Sequence, residues 1–149
     1  MNRKWATLAV MTFLSAFVVA GFTLAQEEDE SPLHKIMEKV QSENGKITKG
    51  VRNAVMFKKS QKDVVTAAEN LVKLAKEAKP LNDVAKENTE VEDAVKKYEE
   101  FSANFTKEAE DFHKFVSGDN VDQKEAKAEY KKVTKTCTTC HDVFRIEDE

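Results

Sequence analysis

Beyond residue 30 the apolar positions recur with a period of 3.6, and no stretch carries a convincing strand pattern. The recurrence falls into four stripes. The first opens on Ser31-Pro32, a capping residue followed by proline where a helix needs no N–H donor. It runs through Leu33, Ile36, Met37, Val40, Ile47, Val51, Ala54 and Val55, interrupted by Gly45 and Gly50. Each glycine costs about 1 kcal/mol relative to alanine inside a helix. They permit close approach of a neighbouring helix or a bound group, or simply mark a weak helix. Ser60 with Asp63 predicts a second start, and Val64, Val65, Ala68, Leu71, Val72 and Ala75 follow until Lys79-Pro80. Residues 80–88 read as a polar connection. Thr89-x-x-Glu92 has the form of a capping box, opening a stripe of Val91, Ala94, Val95, Tyr98, Phe101, Phe105, Ala109, Phe112 and Val116. Gly118-Asp119-Asn120 stops that helix and caps a fourth. Its one side carries Ala126, Tyr130, Val133, Cys137, Cys140, His141 and Phe144.

Four amphipathic helices of about 15–28 residues with short links predict an all-α fold, an antiparallel up-down-up-down four-helix bundle. The first 25 residues read differently. Arg3 and Lys4 precede an apolar run from Leu8 to about Phe22, and Thr23-Leu24-Ala25 offers small residues for cleavage. Residues 1–25 are therefore expected to be a secretory signal and 26–149 the mature domain. An uncleaved anchor is the alternative, because Trp5 to Ala25 approaches spanning length. The abrupt change to Gln26-Glu27-Glu28-Asp29-Glu30 favours cleavage and leaves no membrane segment afterwards. The signal holds two of the 24 basic residues and no acidic one, so the mature chain carries 22 basic against 27 acidic, a formal −5. That excludes nucleic acid as the expected partner and permits docking to a basic redox protein.

The chemistry concentrates at Cys137-Thr138-Thr139-Cys140-His141, the attachment signature of c-type haem. Two thiols at this spacing can add to the two vinyl groups of one porphyrin, and the adjacent imidazole then supplies the proximal ligand. A thioredoxin-type pair shares the C-x-x-C spacing but wants a low-pKa thiol near a βαβ pattern. Zinc needs four ligands, whereas the chain has two cysteines, and His34 and His113 lie far apart. A disulfide from Cys137 to Cys140 closes a tiny loop and leaves His141 unexplained. One covalent haem c is the expected cofactor. Export agrees with it, because bacterial c-type haem is attached after export. Separations of three and four residues put both thiols and the imidazole on one helical face, so the haem is expected in the bundle interior.

A distal ligand is constrained by topology. The start of helix one lies beside the end of helix four, so Met37 falls at the same end as His141. Met56 stands 19 residues further on, about 28 Å along the axis at about 1.5 Å per residue. Methionine on an apolar stripe is also ordinary core filler. His34, three residues before Met37, offers a bis-histidine alternative, and His113 is expected at the far end of helix three. Tyr130 and Phe144 flank the motif as candidates for packing on the macrocycle or as generic core aromatics.

The ending Cys137-Thr-Thr-Cys140-His141-Asp142-Val143-Phe144-Arg145, in a four-helix pattern behind a signal, resembles the class II cytochromes c. That family comprises cytochrome c′ and its low-spin relatives, and the resemblance spans residues 31–146. Most c-type cytochromes with the motif near the N-terminus have a different, smaller fold. The resemblance implies either an open distal face beneath an apolar residue of helix one, or a methionine sulfur there. Met37 precedes Gly45 by eight residues, similar to the family's spacing, which implies Met37 at the ligand position. Leu33 stands where many cytochromes c′ carry an arginine, which weakens a gas-binding role. The expected function is a periplasmic single-haem electron carrier with His141/Met37 ligation. The alternative is a five-coordinate protein that binds nitric oxide or carbon monoxide. No distal His/Arg pair supports enzymatic turnover. The redox partner is not legible, and the family's pairing through helices one and two admits a homodimer without fixing one.

Overall fold

A computed structural model describes residues 31–144. The segment read as a secretory signal lies outside the described residues, as does Arg145, the last residue of the C-terminal motif. The described chain forms α1 (Pro32–Gly50), α2 (Ala54–Ala78), α3 (Asp83–Glu87), α4 (Ala94–Val116) and α5 (Gln123–Phe144), and no strand. Among the described residues, no helix is long and apolar enough to cross a membrane.

Local side-chain bonds set where the helices begin. Ser31 accepts the His34 N–H at 3.1 Å, with Pro32 at the first helical position, as the sequence leads one to expect. The first stripe is cut shorter than its periodicity suggests. Asn53 accepts the Met56 N–H at 3.0 Å and caps α2. Ala54 and Val55 therefore belong to α2, and Val55 is 64% exposed. Ser60, predicted as a second start, is the point where two helical segments of α2 meet across a kink. Its hydroxyl donates to the Met56 carbonyl at 2.8 Å, and the backbone there leaves helical geometry (φ −118°, ψ 18°). Such back-bonding bends a helix. The connection after Pro80 contains the short α3. Beyond it the Asn88 side chain takes the Glu90 and Val91 N–H groups at 3.1 and 3.0 Å, displacing the expected Thr89–Glu92 box. Asp93 then enters the left-handed region (φ 53°), and α4 begins only at Ala94. α5 is capped by Asp122, which accepts the Lys124 and Glu125 N–H groups, while residues 118–120 serve only as the stop.

The four long helices run up-down-up-down. Phe112 packs at a tilt against Tyr130 (ring centroids 5.3 Å apart), and Tyr98 and Phe101 meet Phe144 edge-on at 5.8 and 6.0 Å. Fourteen residues back along α4 thus matches fourteen forward along α5, an antiparallel register. α1 and α5 are aligned the same way. Gln123 Nε2 donates to the Val51 carbonyl at 2.6 Å, and the Tyr130 hydroxyl meets Asn44 at 3.1 Å, seven residues on along each helix.

The two glycines of α1 differ in role. An added β-carbon at Gly45 meets no heavy atom within 4 Å, whereas at Gly50 it collides with the Val64 side chain of α2. Gly50 is where the two helices close. Gly50→Ala is expected to lower stability by about 1–3 kcal/mol, the usual cost of overpacking, despite alanine's better helix propensity. Chemical denaturation checks this, and a midpoint at or above that of the unmodified protein contradicts it.

Candidate functional site

The buried apolar side chains form two clusters. The larger includes Val40, Ile47, Phe105, Phe112, Tyr130 and Val133, with Ile36, Met37 and Cys137 packed on it. The smaller holds Ala85, Ala94, Tyr98 and Phe144, with Leu33, Phe101, Cys140 and Val143 against it. Their boundary passes between Leu33 and Ile36 on α1, Phe101 and Phe105 on α4, and Cys137 and Cys140 on α5. Three helices are divided at one height, and the two thiols stand on opposite sides of the division. A flat apolar macrocycle tied by two sulfurs suits such a seam, since each sulfur is already backed by its own apolar cluster. The residues present fit the group.

Cys137 and Cys140 are both free thiols and half-buried. The Cys137 S–H donates to the Val133 carbonyl at 3.5 Å. Burial pushes both thiols up; the nearby Thr136 and Asn44 side chains oppose it at Cys137. Cys140 is pushed up to about 11, with Cys137 adding to the effect of burial. Thiol–disulfide exchange wants the reverse, a thiol lowered towards neutrality, so the thioredoxin-type alternative has no electrostatic support here. Among the described residues no three metal-ligating side chains gather as zinc would require.

His141, in the last turn of α5, is exposed. In the polypeptide both thiols are half-buried and the three side chains share one arc of α5 that borders the core. Cys140 and His141 lie about 60° and 40° to opposite sides of Cys137 on a helix of 3.6 residues per turn. A span of about 100° begins in packed core and ends in solvent.

Met37 is half-buried and packs on the larger cluster. Continuing the α1–α5 register by a further seven residues from the Asn44–Tyr130 pair puts Met37 level with Cys137, and Leu33 level with His141. His34 is at a similar height but exposed, its backbone N–H spent on Ser31. Met56, 40% exposed, begins α2 at the other end of the bundle, and His113 lies near the end of α4, one residue from the ring that meets Tyr130. Phe144 packs beside Cys140 in the smaller cluster. Tyr130 stands two turns from Cys137, bonded to α1. Two surface hollows of about 470 and 440 Å³ lie elsewhere, one along Ala85–Glu99 and one between Glu43 and Asn70. Neither touches a cysteine, so side-chain chemistry and not a cavity locates the site.

Sequence reasoning passed over Asn44 and Thr48 of α1 and Gln123 of α5, the polar side chains that align the two helices. One trace was available: Asn44 falls seven residues after Met37, and Tyr130 seven before Cys137. Tyr98 and Phe101, seen only as core stripe, prove to be the aromatic backing of Cys140.

A four-helix antiparallel bundle whose last helix presents C-x-x-C-H across a seam in the core defines a c-type haem protein of the helical-bundle class. The sequence pattern of the family described as Cytochrome C' matches residues 33–145, and the chain belongs to that family, whose members bind haem c. No curated relative and no solved structure matches the chain.

Proposed function

We propose that this protein is an exported single-haem electron carrier. Its haem is thioether-linked through Cys137 and Cys140, with His141 as proximal and Met37 as distal ligand. The observation that carries the ligand assignment is the height of Met37, level with Cys137 and half-buried at the seam, while Met56 is exposed at the opposite end. When bound, the haem iron accepts and releases one electron. The thiols would tether it, and His141 and Met37 would hold its iron from helices α5 and α1. A thioether also favours the reduced state relative to a second imidazole. Phe144, Tyr98 and Phe101 exclude water beside Cys140. The exposed edge at His141 gives a redox partner close approach, and the formal −5 of the mature chain disfavours nucleic acid as that partner. Export follows the reading of residues 1–25 and agrees with the family's usual periplasmic location. Nothing in the α1 stripe supplies the His/Arg pair of a peroxidase, so the reading is a carrier and not an enzyme.

The optical spectrum with and without carbon monoxide tests this. Met/His ligation is expected to give a low-spin spectrum, a weak sulfur-to-iron band at the red end, and slow carbon monoxide uptake by the reduced protein. A high-spin spectrum with immediate uptake replaces the proposal with the five-coordinate, gas-binding alternative.

A further inference from the structure

We infer that Tyr130, far from being only a core aromatic, is a positioning residue that sets the height of the distal ligand, an inference that rests on Met37 being that ligand. Two α5 side chains make the hydrogen bonds that fix α5 against α1, Gln123 to Val51 and Tyr130 to Asn44 and Thr48. Tyr130 is the nearer to the thiols. Its hydroxyl lies 3.1 Å from both the carbonyl and the side-chain oxygen of Asn44, and it accepts from the Thr48 hydroxyl at 3.4 Å. One phenolic proton serves either Asn44 oxygen while Thr48 supplies a second bond. Burial pushes the phenol up, so it keeps that proton and remains a donor. Thr48, Tyr130 and Asn44 thus form one chain of hydrogen bonds across α1 and α5, one α5 heptad below the Cys137 thiol.

The consequence for Met37 is geometric. It lies seven residues from Asn44 on the same face of α1, as Cys137 lies seven from Tyr130 on α5. A slip of α1 by one residue moves Met37 about 1.5 Å along the axis and turns it by about 100°. Ligation tolerates only about 0.5 Å and 10–20° before the geometry is lost. Packing of α1 on α2 does not itself specify height against α5; the α1–α5 hydrogen bonds do, and those of Tyr130 are the ones nearer Met37.

Tyr130→Phe removes the hydroxyl and keeps the ring that packs on Phe112, so the variant is expected to fold. Losing one net hydrogen bond is expected to raise the Met37-dissociated population, and with it the rate of carbon monoxide uptake by the reduced holoprotein, about fivefold. Asn44→Ala should do the same. Gln123→Ala removes the crossing two turns further from the thiols; its thermal midpoint should fall comparably, with little change in uptake. Wild-type uptake in Tyr130→Phe overturns the inference, as does equal acceleration in Gln123→Ala, which would indicate general loosening. Met37→Ala separates the two levels of argument. If it fails to accelerate uptake, the ligand assignment falls; if it accelerates uptake and Tyr130→Phe does not, only the positioning role falls.

Discussion

Cys137→Ala/Cys140→Ala, made in a host competent for cytochrome maturation, is expected to yield a chain with no covalent haem: a mass equal to the processed polypeptide and no haem stain after denaturing electrophoresis. Each sulfur is backed by a separate apolar cluster, and α5 offers no other thiol. Residual haem held only by His141 and apolar contact should leave on extraction with acidified organic solvent, whereas thioether-bound haem stays with the protein. The single variants divide the effect. Cys137→Ala removes the sulfur hydrogen-bonded to the Val133 carbonyl, Cys140→Ala the one beside Phe144 and Tyr98, and each should retain one linkage. Stability should move with occupancy, because a group bound only by the folded state favours that state. A haem-stained band surviving in the double variant removes the basis for every ligand assignment made above.

What was legible in the chain was local chemistry and topology. Ser31-Pro32 starts a helix and Lys79-Pro80 ends one through bonds and rings within a few residues, so their effect can be read from sequence. The C-x-x-C-H spacing is equally local. The placing of Met37 with His141, and of Met56 away from them, needed only the up-down order of helices. The junctions failed where two local signals compete. The apolar phase runs unbroken through Val51, Ala54 and Val55, yet one Asn53 side chain ends the matter. Thr89 and Glu92 have capping-box spacing, yet Asn88 reaches the backbone first.

The seam and the α1–α5 alignment were illegible for a different reason. Both depend on the height and rotation of helices some 86 residues apart in sequence. A stripe tells which face is apolar, not which of its residues meet across the bundle. It also treats a 100° arc as one face, so it does not say how far around α5 the packed core extends.

Met37→Ala is expected to convert the ferric spectrum from low-spin to high-spin, abolish the weak band at the red end, and make carbon monoxide uptake by the reduced protein fast. The size of the effect follows from the scarcity of substitutes. His34 is exposed and Leu33 offers no donor atom, so no neighbouring α1 side chain at that height replaces the sulfur without rotating the helix. The reduction potential should fall as well, because the thioether's preference for the reduced iron is gone. Met56→Ala is the matched control. It removes the same chemical group at the exposed start of α2 and should leave the spectrum and potential unchanged. Folding does not confound the comparison, since Met37 sits at the margin of its cluster and its truncation opens no fully buried cavity. An unaltered spectrum in Met37→Ala makes that methionine packing alone, and the distal side of the iron then belongs to the open, gas-binding form of the same family.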